Sequence, residues 1–176
     1  NSILCLSTAC EKVVSALGFE GDIFIPENLN SDLGFIQNSK FQVSSGAIQR
    51  YQPEVVFGIG DFSLPPEMDE NDSIRKKSIN IDSLGSVFES FQEMGVLLNA
   101  TDKALIIIQQ IKSGLEQVSF QGLAREHPSV LLYRNMEFDQ TFENIAVGGK
   151  CYLNDLIEIA GGLNIYSEEE NTFVTT

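Results

Sequence analysis

Ile48–Gly60 reads IQRYQPEVVFGIG, and its order of residue types decides the architecture. The residues Ser45–Tyr51 predict a short helix, and Gln52-Pro53 ends it, because the residue before a proline is pushed out of the helical region. Glu54–Ile59 (EVVFGI) is apolar on both faces and β-branched, the pattern of a strand buried in a parallel sheet. It runs into Gly60-Asp61. The same alternation extends outward. Ser2–Leu6 (SILCL) predicts a strand, Glu11–Leu17 a helix stopped at Gly18, Asp22–Ile25 (DIFI) a strand closed by Pro26, and Ser78–Ile81 (SINI) another strand. Short strands alternating with short helices point to a parallel sheet with helices on its faces.

Beyond Asp82 the period changes. Val87, Phe88, Phe91, Met94, Leu97 and Leu98 make one amphipathic stripe, and Asn99–Asp102 interrupts it with the N-cap types Thr101 and Asp102. Ala104, Leu105, Ile107, Ile108, Ile111, Leu115 and Val118 then predict a helix of roughly 20 residues, about 30 Å long. It reads either as a core helix or as a bridge between two lobes. After Pro128, Ser129–Tyr133 (SVLLY) predicts a strand and Asn135–Asn144 an acidic, phenylalanine-containing loop. Gly148-Gly149 precedes a helix over Tyr152–Ala160, which Gly161-Gly162 ends; Ser167–Thr176 reads as loop or the approach to a further strand. The expected division is an N-terminal α/β lobe at 1–100, a connecting helix at 101–125 and a partial C-terminal lobe at 126–176.

The chain has 176 residues, 43% hydrophobic and 20% charged, which suits one or two folded units with a sizeable core. A net charge of −14 argues against nucleic acid, where Lys and Arg must meet phosphate, and against an anionic membrane surface. No apolar run approaches the roughly 18 residues of a membrane span. Cys5, Cys10 and Cys151 fit no zinc spacing and read as small buried hydrophobes. His127 is the single histidine and precedes Pro128, so a histidine-rich metal site is impossible, and it reads as a linker residue. Asp69, Asn71 and Ser73 alternate like calcium ligands, but Ile74 and Asn80 stand where a calcium loop needs glycine and glutamate. No G-x-G-x-x-G follows the first strand, no phosphate-binding loop is present and no acid/base pair stands out, so the expectation is a non-enzyme without cofactor.

Four stretches, in order, resemble a known family: Ile3–Gly18 (ILCLSTACEKVVSALG), Ile48–Gly60, Phe91–Val118 with Met94-Gly95 and Thr101–Ala104, and Gly148–Ile165 (GGKCYLNDLIEIAGGLNI). They are similar to the substrate-binding proteins of bacterial ABC importers for cobalamin, haem and iron-siderophores. The resemblance implies an α/β fold of two Rossmann-like lobes with parallel sheets, joined by a single long bridging helix, the second lobe incomplete in this chain. It implies a protein outside the cytoplasmic membrane, periplasmic or anchored at the cell surface; no signal peptide is read within the residues given. It also implies a small-molecule ligand and an ABC permease as partners. The opening turn departs from the family, with Thr8 and Glu11-Lys12 where Pro and Thr-Glu usually stand. The acidic residue with which the family docks on its permease is replaced by Gly46.

In open α/β sheets ligands bind outside the carboxyl ends of the strands. The loops expected there are Ser7–Ala9, Pro26–Leu29, Gly60–Leu64, Arg134–Phe138 and Gly148–Tyr152. The candidate ligand-binding residues are Ser7, Thr8, Phe41, Asp61, Phe62, Arg134, Asn135, Phe138 and Tyr152, with Phe62, Phe138 and Tyr152 as flat apolar walls, Asp61, Arg134 and Asn135 as polar contacts, and Phe41 placed near the rim by the resemblance. A trianionic ferric siderophore asks for several arginines, and of Arg50, Arg75, Arg125 and Arg134 only Arg134 is well placed. This tilts the expected ligand toward cobalamin, with haem or a ferric siderophore as the alternative. A sensory or interaction domain that keeps the fold without transport is the second functional reading, and a flavodoxin-like enzyme the third.

Overall fold

A computed structural model describes residues 2–25, 34–37, 40–69, 74–122, 127–138 and 141–175. They form two compact units, one of Asn1–Asn80 with Ser90–Ala104, the other of Ile81–Glu89 with Leu105–Thr176.

In the first unit β1 (Ser2–Cys5) leads through α1 (Thr8–Ala16) to β2 (Asp22–Phe24). A hairpin of β3 (Gly34–Gln37) and β4 (Lys40–Val43) precedes α2 (Ser45–Tyr51), β5 (Val55–Ile59), β6 (Phe62–Ser63), α3 (Pro66–Asp69) and β7 (Arg75–Ile79). The main sheet has the order β2-β1-β5-β7 and every pairing in it is parallel. Strands covered on both faces must be apolar throughout, and Ile3, Leu4, Val55, Val56 and Phe57 are all at most 2% exposed. A smaller sheet, β3-β4-β6, packs its apolar face into the same core: Leu4, Leu6, Val43, Ala47, Ile48, Val56, Phe62 and Leu64 form one buried cluster. Gly58 interrupts the β-branched run because a Cβ there would stand 2.7 Å from the Phe62 ring.

Two sequence expectations shift here. The strand expected at Ser78–Ile81 is β7 at Arg75–Ile79, so three basic residues lie in a strand. β7 is an edge strand, where charged side chains escape sideways. Lys76 Nζ donates to the Phe62 carbonyl at 2.8 Å, and Lys77 pairs with Glu93. Phe41, expected in a loop, belongs to β4, in a hairpin that the sequence reading missed.

α4 (Leu84–Leu97) and α5 (Thr101–Gly122) follow. Gly95 lets them turn tightly: a Cβ on it would stand 2.5 Å from that of Ala104, and Ala100 N donates to Gly95 O at 2.7 Å. Of the expected α5 stripe, Ala104 and Ile108 are buried, whereas Leu105, Ile111 and Val118 are exposed. α5 is therefore not enclosed as a core helix would be.

In the second unit β8 (Ser129–Val130) pairs parallel with β11 (Leu163–Asn164), while β9 (Tyr133–Phe138), β10 (Thr141–Val147) and β12 (Phe173–Thr175) form an antiparallel sheet in the order β12-β10-β9. α6 (Tyr152–Ile159) lies between β10 and β11 in sequence. Among the described residues of this unit, parallel pairing is confined to β8 and β11. The segment Asn135–Asn144, expected as a loop, falls mostly in the β9–β10 hairpin, because cross-strand pairing outweighs its poor strand composition. The strand expected at Ser129–Tyr133 is divided, its first two residues in β8 and Tyr133 opening β9.

Candidate functional site

The connections of the main sheet leave β1 in opposite senses: β1 crosses by α1 to β2 on one side, while β5 and β7 follow on the other. The point between β1 and β5 is therefore the topological switch of the sheet, the position where loops part and leave a crevice. Leu6 N still donates to Phe57 O at 2.8 Å, and the two chains separate beyond it, into Ser7-Thr8 and into Gly60-Asp61. Ser7 caps α1, its Oγ accepting from Cys10 N at 3.2 Å. Thr8, the first residue of α1, is exposed, as is Asp61. Gly60 has φ of 70°, a left-handed conformation that glycine adopts without strain, and a Cβ there would meet nothing within 4 Å. Its N–H donates to Ile79 O at 3.0 Å, which holds the β5 end against β7.

Ser7, Thr8 and Asp61 thus come together at one end of one sheet. Phe41 and Phe62 are register partners across β4 and β6, but they differ in exposure. Phe41 is half-buried against the core cluster. Phe62 is 2% exposed and belongs to the core, so its ring is not an open wall; the space above Gly58 takes it inward. A cavity of about 160 Å³ lies at the other end of the same sheet, lined by residues that include Ser2, Glu54 and Arg75 at the strand starts. It is smaller than the roughly 300–1,000 Å³ of ligand pockets and sits away from the switch point.

In the second unit Tyr152 opens α6, half-buried, and its N–H donates to Ile81 O at 2.9 Å. Arg134, Asn135 and Phe138 lie in β9, opposite Ile145, Asn144 and Thr141, and the description of these three residues extends to their backbone alone. The expected loop Pro26–Leu29, Arg125, and Asn71 and Ser73 of the acidic stretch lie outside the described residues. Among the described residues no group of three or more His, Cys, Asp or Glu is placed to hold a metal. His127 Nδ1 donates to the Gly161 carbonyl at 2.9 Å; a carbonyl can only accept, so Nδ1 carries the proton.

The motif Gly148–Ile165 proves to be a scaffold around the α6 entry. Asn164, 4% exposed, donates from Nδ2 to Val147 O at 3.1 Å and to Asn154 Oδ1 at 3.0 Å, and its Oδ1 accepts from Tyr166 N at 3.2 Å. Asn154 Nδ2 donates onward to Glu158 at 2.9 Å. Asp155 reaches the start of α4, its carboxylate accepting from Leu84 N at 2.6 Å. None of these residues was among the sequence candidates, although Asn164 between two apolar residues (LNI) is an available signal. Gly148 and Gly149 are needed because a Cβ on either would lie 2.0 Å from a backbone oxygen, that of Asn171 or of Ser167. Gly149→Ala is expected to cost about 1–3 kcal/mol in urea unfolding, since backbone and not a pliant side chain must move.

The thiols are buried. Cys5 and Cys10 are 0% exposed, and Cys10 Sγ donates to Cys5 Sγ at 3.1 Å. That bond, then burial, pushes the Cys10 thiol far above the ordinary thiol range. Burial likewise pushes Cys151, the α6 N-cap residue, upward.

No protein-family model matches the sequence, and neither does any curated protein sequence. Solved structures do. The periplasmic haem-binding protein RhuT from Roseiflexus sp. RS-1 superposes with a TM-score of 0.75 at 15% identity, over 100% of this chain and 70% of its own. An ABC-type Fe3+-hydroxamate transport protein from Saccharomonospora viridis gives 0.73 at 16% identity, over 99% and 68%. IsdE of S. aureus, solved with haem, gives 0.72 at 16% identity, over 98% and 68%. The chain has the fold of the ABC-importer substrate-binding proteins. It spans about 70% of the length of RhuT, and this fold accounts for both the switch-point sheet and the long α5. No described helix is long and apolar enough to cross a membrane.

Proposed function

We propose that the chain is the ligand-binding component of an ABC importer, working outside the cytoplasmic membrane, and that it captures a metal chelate of low net charge without chemically altering it. The observation that supports this reading is the shared fold together with an open switch point carrying Ser7, Thr8 and Asp61. Charge bears on the ligand. With a net charge of −14, and with Arg50 lying 5.4 Å over the Tyr51 ring on α2, the chain offers little to a trianion. Cobalamin, rich in amides, fits that balance; haem and ferric hydroxamates are the ligands named for the solved neighbours.

In this reading Thr8 and Asp61 of the first unit are hydrogen-bonding contacts and Phe41 an apolar contact. Asp61→Ala is expected to weaken binding of the chelate about tenfold. The check is a titration followed by the ligand's own absorbance, with a thermal melt of each protein. Equal affinity in both proteins would remove Asp61 from the site.

Gly46 favours the second reading, a domain that keeps the fold without transport. It lies in the first turn of α2, where the resemblance would place the docking acid. The adjacent Ser45 Oγ donates to Glu67 at 2.7 Å, and this bond holds the Glu67 carboxyl below its ordinary range. The Glu67 carboxylate is thus engaged at Ser45, whereas a Cβ at Gly46 would meet only Ser44 Oγ, at 3.9 Å, so position 46 itself carries no acid.

A further inference from the structure

The loop that supplies Ser7 and Thr8 is flanked by two sulfur atoms. Cys5 ends β1, Cys10 lies in the first turn of α1, both are 0% exposed, and their sulfurs stand 3.1 Å apart. Two occupants of such a pair can be compared by distance. A soft cation held by both thiolates at about 2.3 Å needs sulfurs about 3.7 Å apart at a tetrahedral angle and about 4.6 Å apart in a line. The observed pair is closer than either, and among the described residues no third His, Cys, Asp or Glu joins the two sulfurs to complete a metal site. A disulfide needs about 2.05 Å, an approach of about 1 Å.

We infer that Cys5 and Cys10 close to a disulfide that cross-links the end of β1 to the first turn of α1. The oxidant is a low-molecular-weight disulfide. One cysteine thiolate attacks it, forming a mixed disulfide and expelling one small thiolate; the second cysteine thiolate then attacks the mixed disulfide, forming the Cys5–Cys10 bond and expelling the other. Two protein thiols are oxidised, one small disulfide is reduced to two thiols, and the protons pass to the solvent and the expelled thiolates. Burial and the raised Cys10 thiol make the folded pair unreactive, so the exchange belongs to the opened or folding chain. The bond spans Leu6–Ala9 and fixes the backbone from which Thr8 projects at the switch point. Cys151 remains a thiol. This assignment stands on the sulfur geometry and goes beyond the binding role proposed above.

The test uses the whole chain, unfolded in urea and refolded in an oxidised/reduced glutathione buffer, then alkylated in denaturant and digested with trypsin. The peptide ending at Lys12 contains both sulfurs. It is expected unalkylated and about 2 Da lighter than the dithiol, and doubly alkylated once reductant is added. The oxidised protein is expected to melt about 4–8 °C above the reduced one. Cys151→Ser keeps both results, and Cys10→Ser removes the difference in melting. A peptide that is doubly alkylated without reductant, or that carries glutathione on both sulfurs, overturns the assignment, and the peptide mass decides this even where Cys10→Ser fails to fold.

Discussion

Asn164→Ala is expected to lower the unfolding free energy by about 2–4 kcal/mol, measured by urea denaturation. The side chain is buried and engaged on both ends, donating to Val147 O and Asn154 and accepting from Tyr166 N. Truncation leaves a buried backbone carbonyl and the Asn154 oxygen without this donor. It also frees the Gly148-Gly149 turn, whose own N–H groups bond Thr172 O at 3.0 Å and Glu169 O at 2.9 Å. Asn164→Asp is expected to be worse at neutral pH, because an ionised carboxylate can donate to none of these oxygens. A loss below about 0.5 kcal/mol would mean that the network is dispensable.

Phe57→Ala is expected to cost about 3–5 kcal/mol. Phe57 is 0% exposed in β5, which lies between β1 and β7, so neighbouring strands limit collapse around the void. Its backbone takes part in the β1 ladder through Leu6 N, so the substitution also tests whether the switch-point loop depends on core packing. The same urea experiment checks it; a cost near 1 kcal/mol would show that the sheet relaxes to fill the space.

The first unit was largely legible. Ser45–Tyr51 was placed to the residue because Pro53 forces its end, and β5 because only an unbroken apolar run survives burial on both faces. The loops after β1 and β5 followed from strand order alone. What failed has specific causes. Arg75–Lys77 look unlike a strand because edge position, which a sequence does not show, makes charge tolerable there. The β9–β10 hairpin and the β3–β4 hairpin depend on cross-strand pairing between segments whose own propensities are weak. Phe62 looks like a wall because its position after β5 is legible in the sequence, while the missing Cβ of Gly58, which opens the core to its ring, shows only in three dimensions. The Asn154–Asn164 network escaped because the motif was read for its apolar face, and a buried amide announces itself only through its partners.

The central claim is that this fold captures a metal chelate, and the candidate ligands are coloured. The protein is incubated separately with haemin, a corrinoid and a ferric hydroxamate, passed through a desalting column, and the visible spectrum of the protein peak is recorded. The account predicts that one of the three spectra travels with the protein at close to one ligand per chain. A colourless peak with all three, from protein that still unfolds cooperatively in urea, would contradict it.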